Sequence, residues 1–158
     1  MKIINMKIEY AQEISNWKYD DLYSFYDHNE NNISEYMDGS YYACIDSDDV
    51  LVGYFCFGEN ARIPTIENDV YDDDFLDIGL GMKPNLYGKG KGLLFFLTGI
   101  NFAINHFNTN QFRLSVAVFN ERAIKVYEKA GFIIDREVTN SYFNNKFLIM
   151  KYTYETDI

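Results

Sequence analysis

Three glycines at alternate positions, Gly88, Gly90 and Gly92, stand between a run that alternates like a strand and a run with helical apolar spacing. The full stretch reads Met82-Lys83-Pro84-Asn85-Leu86-Tyr87-Gly88-Lys89-Gly90-Lys91-Gly92. Glycine adopts left-handed backbone conformations without steric cost, so the segment turns tightly and exposes its N–H groups. The N-terminus of the helix that follows carries about half a positive charge. A Gly-rich turn running into a helix start binds phosphate, and Lys89 and Lys91 add local positive charge. The alternative is a Gly-rich lead-in that holds no ligand. The turn lacks the Gly-Lys-Ser/Thr ending of a P-loop, and its Gly-x-Gly-x-Gly spacing is not the Gly-x-Gly-x-x-Gly of dinucleotide folds.

The rest of the chain supplies a frame for that turn. Residues 2–9 alternate and read as a first strand. Residues 11–37 read as one or two short helices with a break near Asp27 to Asn32. Residues 41–45 and 50–57 are strands around the turn Asp46-Ser47-Asp48-Asp49. An acidic connection over 59–74 leads to a strand over 75–82. After the glycines, Leu93, Phe96, Leu97, Ile100, Ile104 and Phe107 mark the expected buried stripe of a helix. Residues 112–118 are strand-like. Asn120 is placed as the N-cap of a helix with apolar face Ala123, Val126, Tyr127 and Ala130, ended by Gly131. Residues 132–142 and 146–154 form a closing hairpin that turns near Asn144-Asn145. This order predicts a mixed sheet with helices packed on its faces.

The 158 residues suit one domain, and no Pro/Gly-rich linker divides them, so 1–158 is expected to be a single domain. No apolar run approaches the ~20 residues of a membrane helix. The N-terminus lacks the apolar centre and cleavage site of a signal peptide, and a cytoplasmic protein is expected. A formal net charge of −10 argues against binding driven by phosphate neutralisation on nucleic acid or on anionic membranes. Cys44 and Cys56 lie in apolar runs without metal-ligand spacing and read as buried thiols. His28 and His106 have no motif around them, and no metal site is expected.

Strand order and turn together resemble the GNAT superfamily of N-acetyltransferases over nearly the whole chain. That family carries Gln/Arg-x-x-Gly-x-Gly/Ala where its fourth strand turns into a helix. Here the pattern reads Tyr87-Gly88-Lys89-Gly90-Lys91-Gly92, with Tyr in place of Gln or Arg. The segment Asp77-Ile78-Gly79-Leu80-Gly81-Met82, with Pro84 and Gly88-Lys89-Gly90, is similar to the branch that acetylates ribosomal-protein N-termini. Downstream, Asn120-Glu121-Arg122-Ala123-Ile124-Lys125-Val126-Tyr127-Glu128-Lys129-Ala130-Gly131-Phe132 resembles the family's Asn-x-x-Ala-x-x-x-Tyr-x-x-x-Gly-Phe. The resemblance implies an α+β (mixed α/β) fold: a mostly antiparallel sheet of six to seven strands flanked by about four helices.

It also implies a reaction. An amine attacks the thioester of acetyl-coenzyme A directly while both substrates are bound. The amine must be neutral, the oxygen that gains charge must meet donors, and the thiolate must gain a proton. By the resemblance, the backbone of Leu80, Gly81 and Met82 pairs with the pantetheine arm, with the N–H of Leu80 or Met82 facing the thioester oxygen. Tyr87, Gly88, Lys89, Gly90, Lys91 and Gly92 hold the pyrophosphate, Asn120 bonds the pantetheine, and Tyr127 protonates the sulfur. Asn120 is also explained as a cap alone, and Tyr127 as core. Asp77, where this branch often has Glu, is the candidate general base, acting through a water; its alternatives are a surface carboxylate at a strand start and a buried water chain with no dedicated base.

The acceptor is left open between a small-molecule amine and a protein N-terminus or lysine. Residues 59–77 hold Glu59, Glu67, Asp69, Asp72, Asp73, Asp74 and Asp77 against Arg62 alone, which favours a cation. Trp17, Tyr19, Tyr23, Phe25 and Tyr26, interleaved with Asp20, Asp21 and Asp27, favour one too; the alternative is a plain solvated loop and a tyrosine-rich core. The other class of function is a non-catalytic acyl-coenzyme A-binding sensor, which would keep the turn without needing Tyr127. A monomer or homodimer is expected.

Overall fold

The computed structural model describes residues 1–19 and 33–155. In chain order these form β1 (Lys2–Asn5), α1 (Ile8–Ser15), α2 (Ile33–Tyr36), β2 (Tyr41–Ile45), β3 (Leu51–Phe57) and β4 (Leu76–Met82). Then follow α3 (Gly92–Phe107), β5 (Gln111–Ala117), α4 (Glu121–Lys129), β6 (Ile133–Thr139) and β7 (Lys146–Thr153). The seven strands make one sheet in the order β1-β2-β3-β4-β5-β7-β6. The pairs β1–β2, β2–β3, β5–β7 and β6–β7 run antiparallel, and β4–β5 runs parallel. This is the mixed, mostly antiparallel sheet with four helices that the sequence predicts. Among the described residues no helix is long and apolar enough to cross a membrane.

The chain packs as two compact units. One comprises Met1–Cys56 with Leu80–Gly99, the other Phe57–Gly79 with Ile100–Ile158. In the first unit, Gly53, Gly81 and Gly99 are packing positions. A Cβ on Gly81 would run into the ring of Tyr54, and one on Gly99 into the ring of Phe55. Phe55 also lies against Phe95 of α3, with ring centroids 4.6 Å apart. Trp17, Tyr36 and Tyr41 are buried around Tyr54. Cys44 is buried here as well, and burial pushes its thiol up to about 11; Cys56 is likewise buried and free.

The second unit is built on β5 and β7, whose register runs from Gln111–Thr153 to Ala117–Phe147. Phe112, Leu114, Val138, Ile149 and Met150 form its core. The connection between β3 and β4 is fastened to β6 at several points. Thr65 bridges Asn140, the Ile66 N–H bonds the Thr139 carbonyl at 3.0 Å, and both oxygens of Glu67 accept from the Thr139 N–H. The hairpin turns at Asn144, which takes the left-handed conformation expected of its turn.

Three local expectations change. The first strand ends at Asn5, and residues 8–15 are helical, because Ala11, Ile14 and Ser15 bury a helical face. The early helical region resolves into α1 and α2; its expected break, and Asp20, Asp21, Tyr23, Phe25, Tyr26, Asp27 and His28, lie outside the described residues. In α3 the buried face is Phe95, Phe96, Gly99, Ile100 and Ala103, while Leu97 is 37% exposed. The helix is apolar nearly all round, so spacing alone leaves its facing undecided. The face is set by Gly99, the position without a side chain that lets Phe55 in.

Candidate active site

β4 delivers the chain to the Gly-rich turn. Its end is tied back by the Lys83 N–H, which donates to the Val52 carbonyl at 2.8 Å. Pro84–Leu86 then make one 3-10 turn, a use of proline at a helical first position, where the missing N–H costs nothing. Leu86 N–H bonds Lys83 C=O, and Lys89 N–H bonds Leu86 C=O at 3.3 Å. Gly88 and Gly90 follow with φ of 77° and 82°. That left-handed geometry is the reason these positions are glycine, since a Cβ there crowds its own backbone. Residues 88–91 are exposed, and a Cβ on Gly90 would find nothing within 4 Å. Open space beside a left-handed turn at the start of a 16-residue helix fits an anionic group lying against backbone N–H donors. Lys89 and Lys91 are exposed on the same turn.

Tyr87, where the family has Gln or Arg, packs its ring edge-on against Tyr19, with centroids 6.0 Å apart. Tyr19 in turn donates its hydroxyl proton to the Met82 carbonyl at 2.7 Å, buried from solvent. Leu80 and Gly81 are half-buried and Met82 is buried, with the Tyr54 ring lying over Gly81. The Tyr19 contact on the expected pantetheine-pairing strand is absent from any motif. It depends on residues 63 positions apart meeting in space.

In the second unit, Asn120 is the N-cap of α4, its Oδ1 accepting from the Ala123 N–H at 3.2 Å. The helix closes with Gly131 at φ of 102°, as its position after the apolar face predicts. Tyr127 is the buried residue of α4, 8% exposed. Phe132, the last residue of the motif, bonds its N–H to the Tyr127 carbonyl and stacks on Tyr152. The motif spacing therefore builds a capped, one-sided helix with its tyrosine turned inward.

Asp77 lies in the same unit, at the start of β4. It is 2% exposed, not a surface carboxylate. Its Oδ1 accepts from Arg113 Nε at 2.6 Å, and its Oδ2 accepts from Arg113 Nη2 at 2.9 Å and Arg62 Nε at 2.8 Å. Arg113 also reaches Asp73 at 2.6 Å, and Lys151 bonds the other Asp73 oxygen at 2.6 Å. Burial opposes the charge on Arg113, but the hydrogen bonds and charge of Asp77 outweigh it and hold the guanidinium above its ordinary value. The Lys151 hydrogen bond holds Asp73 below the usual carboxylate range. Sequence reasoning missed Arg113 because a lone Arg in a strand gives no signal until β4 and β5 pair Asp77 with it.

The acidic connection is accordingly less negative in space than in sequence. Arg113, Arg136 and Lys151 bring positive charge to Asp77, Asp73 and Asp69, besides the Arg62 of the connection itself. Glu67 is spent on the Thr139 backbone. Among the described residues no group of three or more His, Cys, Asp or Glu side chains is placed to hold a metal ion.

Residues 7–132 match the acetyltransferase (GNAT) family. Among curated proteins there is no significant match. Solved structures repeat the fold at low identity. A chimera of the Vibrio cholerae spermidine N-acetyltransferase SpeG and hSSAT superposes with a TM-score of 0.74 at 17% identity, covering 96% of this chain and 94% of that one. A GNAT-family acetyltransferase from Bacillus anthracis gives 0.73 at 12% identity, over 96% and 93%. The Vibrio cholerae spermidine N-acetyltransferase in complex with CoA and spermine gives 0.68 at 16%, over 96% and 94%. With the family matched over most of its length, and with the strand order and Gly-rich turn described above, this chain belongs to the acetyltransferase (GNAT) family and is an acetyl-coenzyme A-dependent N-acetyltransferase.

Proposed function

We propose that this enzyme moves the acetyl group of acetyl-coenzyme A to a primary amine that carries a second positive charge, by direct attack with both substrates bound. The observation that carries the reading is the exposed, left-handed turn at Gly88 and Gly90 at the head of α3. In this reading the backbone of residues 87–92 holds the pyrophosphate, aided by the charges of Lys89 and Lys91. Tyr87 acts there through its backbone, its ring serving to pack on Tyr19. The backbone of Leu80, Gly81 and Met82 pairs with the pantetheine arm, and Tyr19 steadies that end of the strand through the Met82 carbonyl. Asn120 caps α4 through Oδ1 and offers its amide N–H to the pantetheine.

The new bond joins the amine nitrogen to the acetyl carbon, the carbon–sulfur bond breaks, and Tyr127 gives the leaving thiolate its proton. Holding both reactants together supplies much of the rate. Tyr127 sets this reading apart from a non-catalytic acyl-coenzyme A sensor, which requires the turn but no acid. Asp77, engaged by two arginines, is assigned an organising role rather than that of the base.

The cationic acceptor is supported by the net charge of −10 and by the structural neighbours, several of which are spermidine N-acetyltransferases. The deciding experiment follows thiol release from acetyl-coenzyme A with spermine, an amino sugar and a neutral amine of similar size, at low and high salt. Selective turnover of the polycations that weakens with salt is expected, because exposed charges are screened beyond about 8–10 Å at ordinary ionic strength. Equal specificity constants without salt dependence would remove the cationic acceptor, and no thiol release with any amine would remove the reaction.

A further inference from the structure

Asp77 accepts three hydrogen bonds from two arginines, and the fold offers the proton of the acceptor amine a second route. β5 carries a single hydroxyl side chain, Ser115. We propose that Ser115 and Tyr71 form a two-hydroxyl relay that takes the amine's proton and passes it to water; the inference rests on the acetyl-transfer reading above.

The placement comes from the sheet. β4 and β5 pair in register through Asp77–Arg113 and Ile78–Leu114, where the register ends. Ser115 is one residue past that last rung, and by strand alternation it shares a face with Arg113. The β4 residue following Ile78 is Gly79, so β4 presents no side chain at that level to cover the hydroxyl. Ser115 and Tyr71 are both half-buried, sheltered yet reachable.

The proton count comes from the hydrogen bonds. Tyr71 Oη lies 3.0 Å from Ser115 Oγ, and either atom can be the donor. Tyr71 Oη also accepts the Ile63 N–H at 3.1 Å. Two hydroxyls hold two protons, and one suffices for the bond between them. Among the described residues the second has no partner. When Ser115 donates to Tyr71, that second proton is on Tyr71 and a lone pair of Ser115 is open. The tyrosine ring is held in place from two sides, with Arg62 5.2 Å and Arg113 4.9 Å from its centroid. The charged groups around the pair are Arg62, Asp73, Asp77, Arg113 and, through Asp73, Lys151, and they are paired with one another.

The transfer balances without charging either residue. The ammonium N–H bond breaks as Ser115 Oγ gains that proton. The proton already on Ser115 moves to Tyr71 Oη, and the proton of Tyr71 moves to water. The neutral amine then attacks. Hydroxyls suit this task because each is at once donor and acceptor, which a carboxylate locked by guanidinium groups is not.

The test uses the full chain with whichever of spermine, glucosamine and an alanine-initiated peptide wild type acetylates fastest. Ser115→Ala should lower kcat at neutral pH by about ten- to a hundred-fold, short of the ~10²–10⁴ of a dedicated base because water replaces part of the relay. The deficit should shrink toward alkaline pH, where the amine is already neutral, and Ser115→Thr should restore most of the rate. Tyr71→Phe should match Ser115→Ala, and the double variant should be no worse than either, as for residues acting as one unit. Acetyl-coenzyme A affinity should be unchanged throughout. Should Tyr71→Phe melt, Ser115→Ala and Ser115→Thr decide alone. Wild-type kcat in Ser115→Ala, with chemistry rate-limiting, overturns the relay, as does a deficit constant across pH. A wild-type enzyme silent toward all three amines removes the acetyl-transfer reading and the relay with it.

Discussion

Arg113 grips Asp77 through two parallel hydrogen bonds, Nε to Oδ1 at 2.6 Å and Nη2 to Oδ2 at 2.9 Å, with the guanidinium wholly buried. The pair joins β4 to β5 at the rung next to the end of their register. Removing one partner strands the other charge in the interior. Arg113→Met should therefore cost about 3–5 kcal/mol, toward the lower end because Arg62 still reaches Asp77. Asp77→Leu/Arg113→Met should recover most of that loss, since an apolar pair of similar volume replaces both charges. Urea unfolding of the single and double variants measures it. A double variant as unstable as Arg113→Met would show that the pair holds more than its own charge.

Acid should weaken the carboxylate contacts at Asp73, on the outside of this network, and at Glu67 nearby in sequence. Lys151 holds Asp73 below the ordinary carboxylate range, and the Thr139 backbone N–H does the same for Glu67. A folded-state value below the unfolded one means the folded chain binds fewer protons. The stabilisation is then complete above the ordinary carboxylate range and is lost as pH falls through the depressed values. Asp73→Asn should accordingly be less stable than wild type at neutral pH, and the two should converge in acid. Thermal melts across that range test it; a gap that persists at low pH would mean that Asp73 stabilises by packing rather than charge.

Gly90→Val should weaken acetyl-coenzyme A binding without unfolding the protein. Space around its Cβ is open, so the damage is conformational: φ of 82° is costly for a β-branched residue, and relaxing it swings the N–H groups away. Gly39→Val is the matched control, with φ of 100° and equally open surroundings. Both variants should lose similar stability, while only Gly90→Val should lose about ten-fold or more in affinity, or ~1.4 kcal/mol. Calorimetry on the pair separates backbone strain from loss of the phosphate cradle.

Tyr127→Phe removes one hydroxyl from a buried ring and should leave melting temperature and cofactor affinity nearly unchanged. Turnover should fall by roughly ten- to a thousand-fold, within or just below the ~10²–10⁴ range of a positioned acid, as water supplies the thiolate's proton less well. Single-turnover kinetics check the chemical step directly. Wild-type rates there would leave Tyr127 as a core residue.

What the sequence by itself determined is whatever short-range chemistry encodes. Gly88, Gly90 and Gly131 announced left-handed turns because only glycine takes them cheaply, and Asn120 announced a cap because its side chain bonds a backbone only three residues away. β2 was legible to the residue from its apolar run, and the family was legible from two motifs that are each local. Tertiary structure alone decided which face of the nearly all-apolar α3 is buried, since that depends on Phe55 filling the space at Gly99. It decided that residues 8–15 are helical although their start alternates like a strand. It also decided the meaning of the acidic connection: the carboxylates counted as a cation-seeking patch meet Arg113, Arg136 and Lys151, which arrive from tens of residues away. Charge adds along a sequence regardless of distance, but hydrogen bonds and ion pairs form only between groups the fold brings within a few ångströms. That is why Asp77 reads as a free carboxylate in the chain and is the anchor of a buried arginine in the protein.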